Sequence, residues 1–200
     1  MSAHSSAQTN EFDHRKLGIW VFLASEVIFF AAIITAFLAY RGKPVEPDPH
    51  HILSLLIPTI NTIVLLVSSV TMVMALEAIK ADKRARTWQW LVVTALLGCT
   101  FLGLKATEYS ELFAEGLTPS ANIFGSIYFT LTGFHAAHIL IGVIWLLAVA
   151  AKTVRGGFSA TNFLPVEIAG LYWHFVDLVW VAIFMVVYLL EQLPFMPGGH

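Results

Sequence analysis

Five stretches of this sequence are apolar for long enough to cross a membrane, and that feature removes most folds from consideration. A bilayer hydrocarbon core is roughly 30 Å thick and takes about 20 residues of helix to span. Inside it no water is available to satisfy loose backbone groups, so a spanning segment must be a helix or part of a closed barrel. The stretches lie at residues 17–40, 52–79, 88–112, 123–151 and 166–190. They predict an all-α integral membrane bundle of five transmembrane helices. Outside them remain a polar N-terminal tail at residues 1–16, read as non-helical, the Pro-rich connection "RGKPVEPDPHH", and a C-terminal tail at residues 191–200. No separate soluble domain fits in what is left.

Only 12% of the 200 residues are charged, about half the usual share in soluble domains. The net charge of -2 and the lack of a dense basic run exclude nucleic acid as a partner. The lone Cys99 lies in the third stretch, where it is read as a packed small residue that has no disulfide partner in the chain. The first stretch is too long for a signal-peptide core, so it is read as a retained helix. Lys and Arg concentrate on the cytoplasmic side of membrane proteins. Eight of the eleven, Arg15, Lys16, Lys80, Lys83, Arg84, Arg86, Lys152 and Arg155, fall on one side of the five-span layout. Arg41 and Lys43, diluted by Glu46 and Asp48, fall on the other with Lys105. This predicts a cytoplasmic N-terminus and an external C-terminus. Trp88, Trp90, Tyr40 and Tyr188 are expected at headgroup level.

An ionisable side chain in the hydrocarbon region costs at least about 2.5 kcal/mol on insertion scales, so each needs a partner or a cavity. Glu26, in "WVFLASEVIFFAA", sits about 14 Å from the start of its stretch. His174 and Asp177 lie at about 12 and 17 Å from the same side, a shared depth. His135 and His138, in "LTGFHAAHILIG", lie farther from that side. Glu167, His174 and Asp177 are spaced by seven and three, which makes one helix stripe, and His135 with His138 makes another. Gly133 with Ala137, and Ala32 with Ala36, are expected to allow close helix approach beside them. The pattern is an internal polar seam, with His174 and Asp177 facing each other and partners on the first or fourth helix. The plain alternative is that these groups only bond across helices and fix the packing. Glu26 has no basic residue in its own spanning stretch, and a carboxyl group so placed can relay or buffer protons, or regulate access to a proton path.

At the end of the third stretch, "GLKATEYSELFAEG" holds Lys105, Glu108, Glu111 and Glu115. These read as charges at an outer membrane boundary, with Lys105 and Glu108 able to pair at a spacing of three. Asn61, Ser68, Ser69 and Thr71 read as interhelical hydrogen-bonding groups. Heme needs axial ligands from opposite sides, whereas His135 and His138 are neighbours on one face. The repeated Glu-x-x-His set of a di-iron bundle is also missing. No metal or cofactor site is expected in this chain.

The segments "WVFLASEVIFFAA", "NTIVLLVSSVT", "EYSELF", "FTLTGFHAAHILIG" and "YWHFVDLVWVAIFMVVYLL" occur in that order. Together they resemble subunit III of heme-copper terminal oxidases, both cytochrome c and quinol forms, over about residues 17–190. The resemblance implies a non-catalytic integral subunit, without a redox centre, packed against the large heme- and copper-bearing subunit I. It implies support of complex stability, phospholipid binding in a groove, and maintenance of proton uptake by subunit I. Glu26 falls on the family's buried carboxyl group in its "SE" segment, the one associated with carbodiimide reactivity, and His135, His138, His174 and Asp177 fall on motif positions. Other oxidase subunits, a respiratory supercomplex and membrane phospholipid are the partners it allows, in a bacterial inner membrane. The larger family form has seven helices; this chain begins at what resembles the third and lacks the two-helix arm that completes the lipid groove. Lys105 stands where the family often has Gln. The electron donor, cytochrome c or quinol, belongs to other subunits. The competing readings are an accessory subunit of a nitric-oxide-reducing complex, an independent proton or solute transporter, and an independent b-type cytochrome. The transporter reading lacks a visible inverted repeat.

Overall fold

A computed structural model describes the backbone of residues 3–41 and 53–190, with side chains from His14 onward. Five long helices, α1 Ala3–Tyr40, α2 Leu56–Lys80, α3 Arg84–Ala114, α4 Ile123–Val154 and α5 Leu164–Ile183, make up the bundle, and a π-helical turn, Phe184–Leu189, extends α5. All five are long and apolar enough to span a membrane, α5 counted with its π turn, and among the described residues there is no sheet. The fold is the expected all-α membrane bundle. Most of the Pro-rich connection, including Lys43, Glu46 and Asp48, and the tail at 191–200 lie outside the described residues.

One expectation about the ends changes. The tail at 1–16 is not a separate non-helical piece, because α1 already begins at Ala3. Helix initiation is the costly step, so a helix secured by the membrane span extends cheaply into adjoining residues. The other ends have local causes. α2, α3 and α4 each close with a backbone N–H reaching five residues back: Lys83 to Ala78 at 2.9 Å, Leu117 to Leu112 at 2.9 Å, and Gly157 to Lys152 at 3.0 Å. This closure needs a left-handed residue, supplied by Asp82 at φ 55° after α2 and by Gly116 and Gly156 after the other two. Asp82 also accepts a hydrogen bond from the backbone of Ala160, tying the α2–α3 turn to the α4–α5 connection. The α4 start is capped by Asn122, whose side-chain oxygen accepts from Gly125 N–H at 2.7 Å.

α2, α3 and α4 pack in sequence order, α5 lies against α2 and α4, and α1 lies against α4 and α5. Trp173 of α5 is the deepest wedge. A Cβ at Gly98 would sit 2.6 Å from its ring, and one at Gly142 would sit 2.9 Å away, so two glycines on different helices make room for one indole. The Trp173 ring nitrogen donates to Ser68 at 2.9 Å, and that of Trp180 to Thr62 at 3.0 Å, forming two rungs between α5 and α2. Thr71 and Thr94 form a third polar contact, between α2 and α3, at 2.8 Å.

The expected close-approach pairs are therefore misplaced. Ala32 and Ala137 are exposed, and a Cβ at Gly133 would meet nothing nearer than the Tyr109 hydroxyl at 3.9 Å. Cys99 is likewise exposed rather than packed. Both differences have one cause: a helix in lipid is apolar on all sides, so its inward face leaves little trace in the sequence.

Candidate functional site

α1 meets α4 and α5 along a ladder of contacts that fixes the register of its polar residues. At one end Lys16 pairs with Glu167 at 3.0 Å. Phe22 then stacks on Tyr172 at 6.4 Å, Glu26 meets His138, Phe29 meets Phe134 edge-on, and Phe37 packs on Phe124. Glu26 is thus level with His138, and the Lys16–Glu167 and Phe22–Tyr172 pairs carry it to the height of His174 and Asp177 on α5 as well, the shared depth expected from the sequence.

The Glu26 carboxylate lies 3.2 Å from His138 Nε2, with about a fifth or less of either side chain exposed. The other ring nitrogen, Nδ1, is 2.8 Å from the Phe134 carbonyl, which only accepts, so Nδ1 carries a hydrogen. The Glu26–His138 contact therefore needs one proton of its own, on the carboxyl oxygen or on Nε2. Either placement leaves the pair with no net charge. Tyr172 donates to the His138 carbonyl at 3.0 Å, so α5 also braces this turn of α4.

His174 and Asp177 do not face α1 or α4. His174 Nδ1 is 2.6 Å from the Ser69 hydroxyl of α2, and Asp177 is buried beside the same Ser69, its carboxylate oxygens without another partner among the described residues. The seven-plus-three spacing does place Glu167, His174 and Asp177 on neighbouring turns, but α5 has different neighbours along its length, so the stripe divides. Glu167 goes to α1 at one membrane edge, and His174 goes to α2 in the interior. His135 is fully buried and neither ring nitrogen has a partner among the described residues. It is held in an aromatic box, stacked on Trp180 at 5.2 Å with Phe101 edge-on at 5.6 Å. Asn61 is also fully buried without a partner among them.

The largest departure concerns Lys105 and Glu108. They pair as their spacing suggests, at 3.1 Å, but both are buried among the helices near the expected end of the bundle instead of lying on its surface. Lys105 also donates to Tyr128 at 3.1 Å and Tyr188 at 2.6 Å, while both phenols donate to Glu108 Oε1, at 2.8 and 2.6 Å. Three ammonium hydrogens and two phenolic hydrogens fill these five bonds, and the same five are filled if the shared proton sits on Glu108 Oε2 instead of Lys105 Nζ, so the cluster closes on itself with no net charge in either form. The Tyr109, Tyr128, Trp180 and Tyr188 rings lie 5.1–5.4 Å from the ammonium. Tyr188, expected at headgroup level, is instead fully buried here. The π turn adds a residue to the last helical turn, its mark being Leu190 N–H bonded to Met185 at 2.9 Å, and Val187 and Tyr188 both end up inside. Tyr128 and Tyr188 were the unforeseen members, and the sequence signal for them was a lysine in an apolar run that needed acceptors from somewhere.

No group of three or more metal-ligating side chains occurs among the described residues. The arrangement offers a proton-sharing pair at the α1–α4 contact, a hydroxyl–imidazole contact between α2 and α5, and a closed ionic cluster near the other end of the bundle.

The sequence as a whole can now be set beside known proteins. The profile of the family "Cytochrome c oxidase subunit III" matches residues 2–192. "Cytochrome c oxidase subunit 3" of Alkalihalophilus pseudofirmus is 36% identical over 194 residues, 95% of this chain and 93% of that protein. The protein of the same name from Bacillus subtilis is 36% identical over 184 residues, covering 91% and 89%. "Cytochrome bo(3) ubiquinol oxidase subunit 3" of Pseudomonas aeruginosa is 33% identical over 192 residues, covering 96% and 90%.

Proposed function

Since this chain belongs to the cytochrome c oxidase subunit III family, we propose that it is the non-catalytic subunit III of a proton-pumping heme-copper respiratory oxidase, a complex that reduces oxygen to water. The observation that carries this reading is the match to oxidase subunits over nine-tenths or more of the chain and about nine-tenths of each relative, with cytochrome c and ubiquinol oxidases both among them. The nitric-oxide-reductase, transporter and cytochrome alternatives have no comparable support. In this reading heme and copper sit in the partner subunit I, the N-terminus is cytoplasmic, the membrane is the bacterial inner membrane, and the bundle stabilises subunit I and sustains its proton supply.

The proton role rests on the Glu26–His138 pair. With His138 Nδ1 committed to the Phe134 carbonyl, the pair takes up one proton to become a neutral acid beside an imidazolium, or loses one to leave a carboxylate facing a lone pair. Each change creates one net charge in a medium that penalises it, so the pair tends to hold a single proton and to return to that state. Such a pair can pass its single proton between carboxyl and imidazole beside an uptake route and needs no redox chemistry of its own.

Affinity purification of the chain from native membranes, with a reduced-minus-oxidised spectrum, tests the subunit reading. Recovery with a large subunit containing heme and copper supports it. Recovery alone and without heme, from membranes that respire, contradicts it.

A further inference from the structure

We propose that the outward face of α5 between α1 and α2 seats a transmembrane helix of a partner protein, one bearing a hydroxyl or amide side chain level with His174. This rests on the reading of the chain as a subunit of a membrane complex. α1 and α2 both pack on α5 yet hardly touch each other, which leaves a strip of α5 open between them. His174 is only part-buried there, and Leu178 beyond it is 68% exposed. Counted from Leu164, His174 lies about 15 Å along the helix, near the middle of a roughly 30 Å hydrocarbon core.

The bonding at this spot differs from that on the outer surface elsewhere. Thr35, Thr100 and Thr130 are exposed, and each closes its hydroxyl on the carbonyl four residues back in its own helix, at 2.8, 3.0 and 2.7 Å. Hydroxyls satisfied in that way can face acyl chains. Ser69 instead turns to His174 Nδ1 at 2.6 Å, and no hydrogen bond to His174 Nε2 occurs among the described residues. One turn on, Asp177 is buried beside the same Ser69, whose single hydroxyl it shares with His174, and its carboxylate oxygens have no other partner among them. Lipid tails supply neither donor nor acceptor at this depth, so a facing polypeptide is the better complement. A hydroxyl or amide both donates and accepts, which suits either tautomer of His174. Leu66, Val70 and Leu178, all exposed around the polar spot, provide the apolar surface for the same helix to pack on.

The test uses the intact complex in native membranes, with photoreactive benzoylphenylalanine at Leu178 and, as a control on another face, at the exposed Leu96 of α3. The expected result is a protein adduct from Leu178, mapped to a transmembrane helix of another chain, and lipid adducts from Leu96. His174→Leu in the same background is expected to lower the Leu178 protein adduct several-fold. An intact complex in which Leu178 labels only lipid overturns the docking face and leaves the subunit reading standing. An adduct unchanged by His174→Leu overturns the polar contact, and a chain without any companion overturns both readings.

Discussion

Lys105 is buried among apolar helices, where a lone charge is costly, and its neighbours show what makes it tolerable. A buried ion pair gains little over apolar packing, but removing one partner strands the other, at a cost of about 3–5 kcal/mol. Lys105→Met is therefore expected to destabilise the bundle by about that amount, because buried Glu108 loses the partner that its carboxyl group is bonded to. Lys105→Met combined with Glu108→Met is expected to recover most of the loss, as read by thermal unfolding of the solubilised complex. A double variant no more stable than the single would mean that the cluster is not a coupled unit. Tyr188→Phe removes one acceptor from Lys105 and one donor to Glu108, and about 1–3 kcal/mol of destabilisation is expected in the same measurement. From the sequence, the pairing at three-residue spacing was legible. The burial was not, because the acceptors come from positions 23 and 83 residues away.

Between helices, the determining contact is the Trp173 wedge. Its indole is fully buried, fixed by the bond to Ser68, and bounded by Gly98 and Gly142, so it has little freedom to yield. Gly142→Ala forces a methyl group to within 2.9 Å of the ring and is expected to cost about 1–3 kcal/mol by overpacking. Gly133→Ala, on the open side of the same helix, is expected to stay within about 0.5 kcal/mol of the parent protein. Comparable losses for both variants in thermal unfolding would contradict the assignment of α4's inward face. Here the sequence misled: Gly133 and Ala137 carry the small-residue spacing, yet Ala137 is exposed and Gly133 is half-buried with open space beside it. In water a helix displays its core face by contrast with a polar one, and in lipid that contrast disappears. The five spans were plain for the complementary reason, since uninterrupted apolar length is itself the signal.

At the scale of the whole molecule, the interior polar groups fall into separate stations rather than a continuous seam. Lys16–Glu167 is at one membrane edge, Glu26–His138 and Ser69–His174 lie in the interior, and the Lys105 cluster binds α3, α4 and the π turn toward the other end. Glu26, His135, His138, His174 and Asp177 were legible as residues requiring a reason to be in a membrane. Which helix each would meet depended on register, and register is set by aromatic contacts such as Phe22 with Tyr172 that no local pattern announces. Of these stations, Glu26–His138 is the one in which a partly exposed carboxyl group and imidazole share a single proton. The most direct test follows oxygen consumption over time by the purified complex carrying Glu26→Ala, normalised to heme content. The account predicts an initial rate close to that of the parent complex, followed by a faster decline during sustained turnover. Progress curves that superimpose from start to finish would contradict it and leave Glu26 as a packing residue alone.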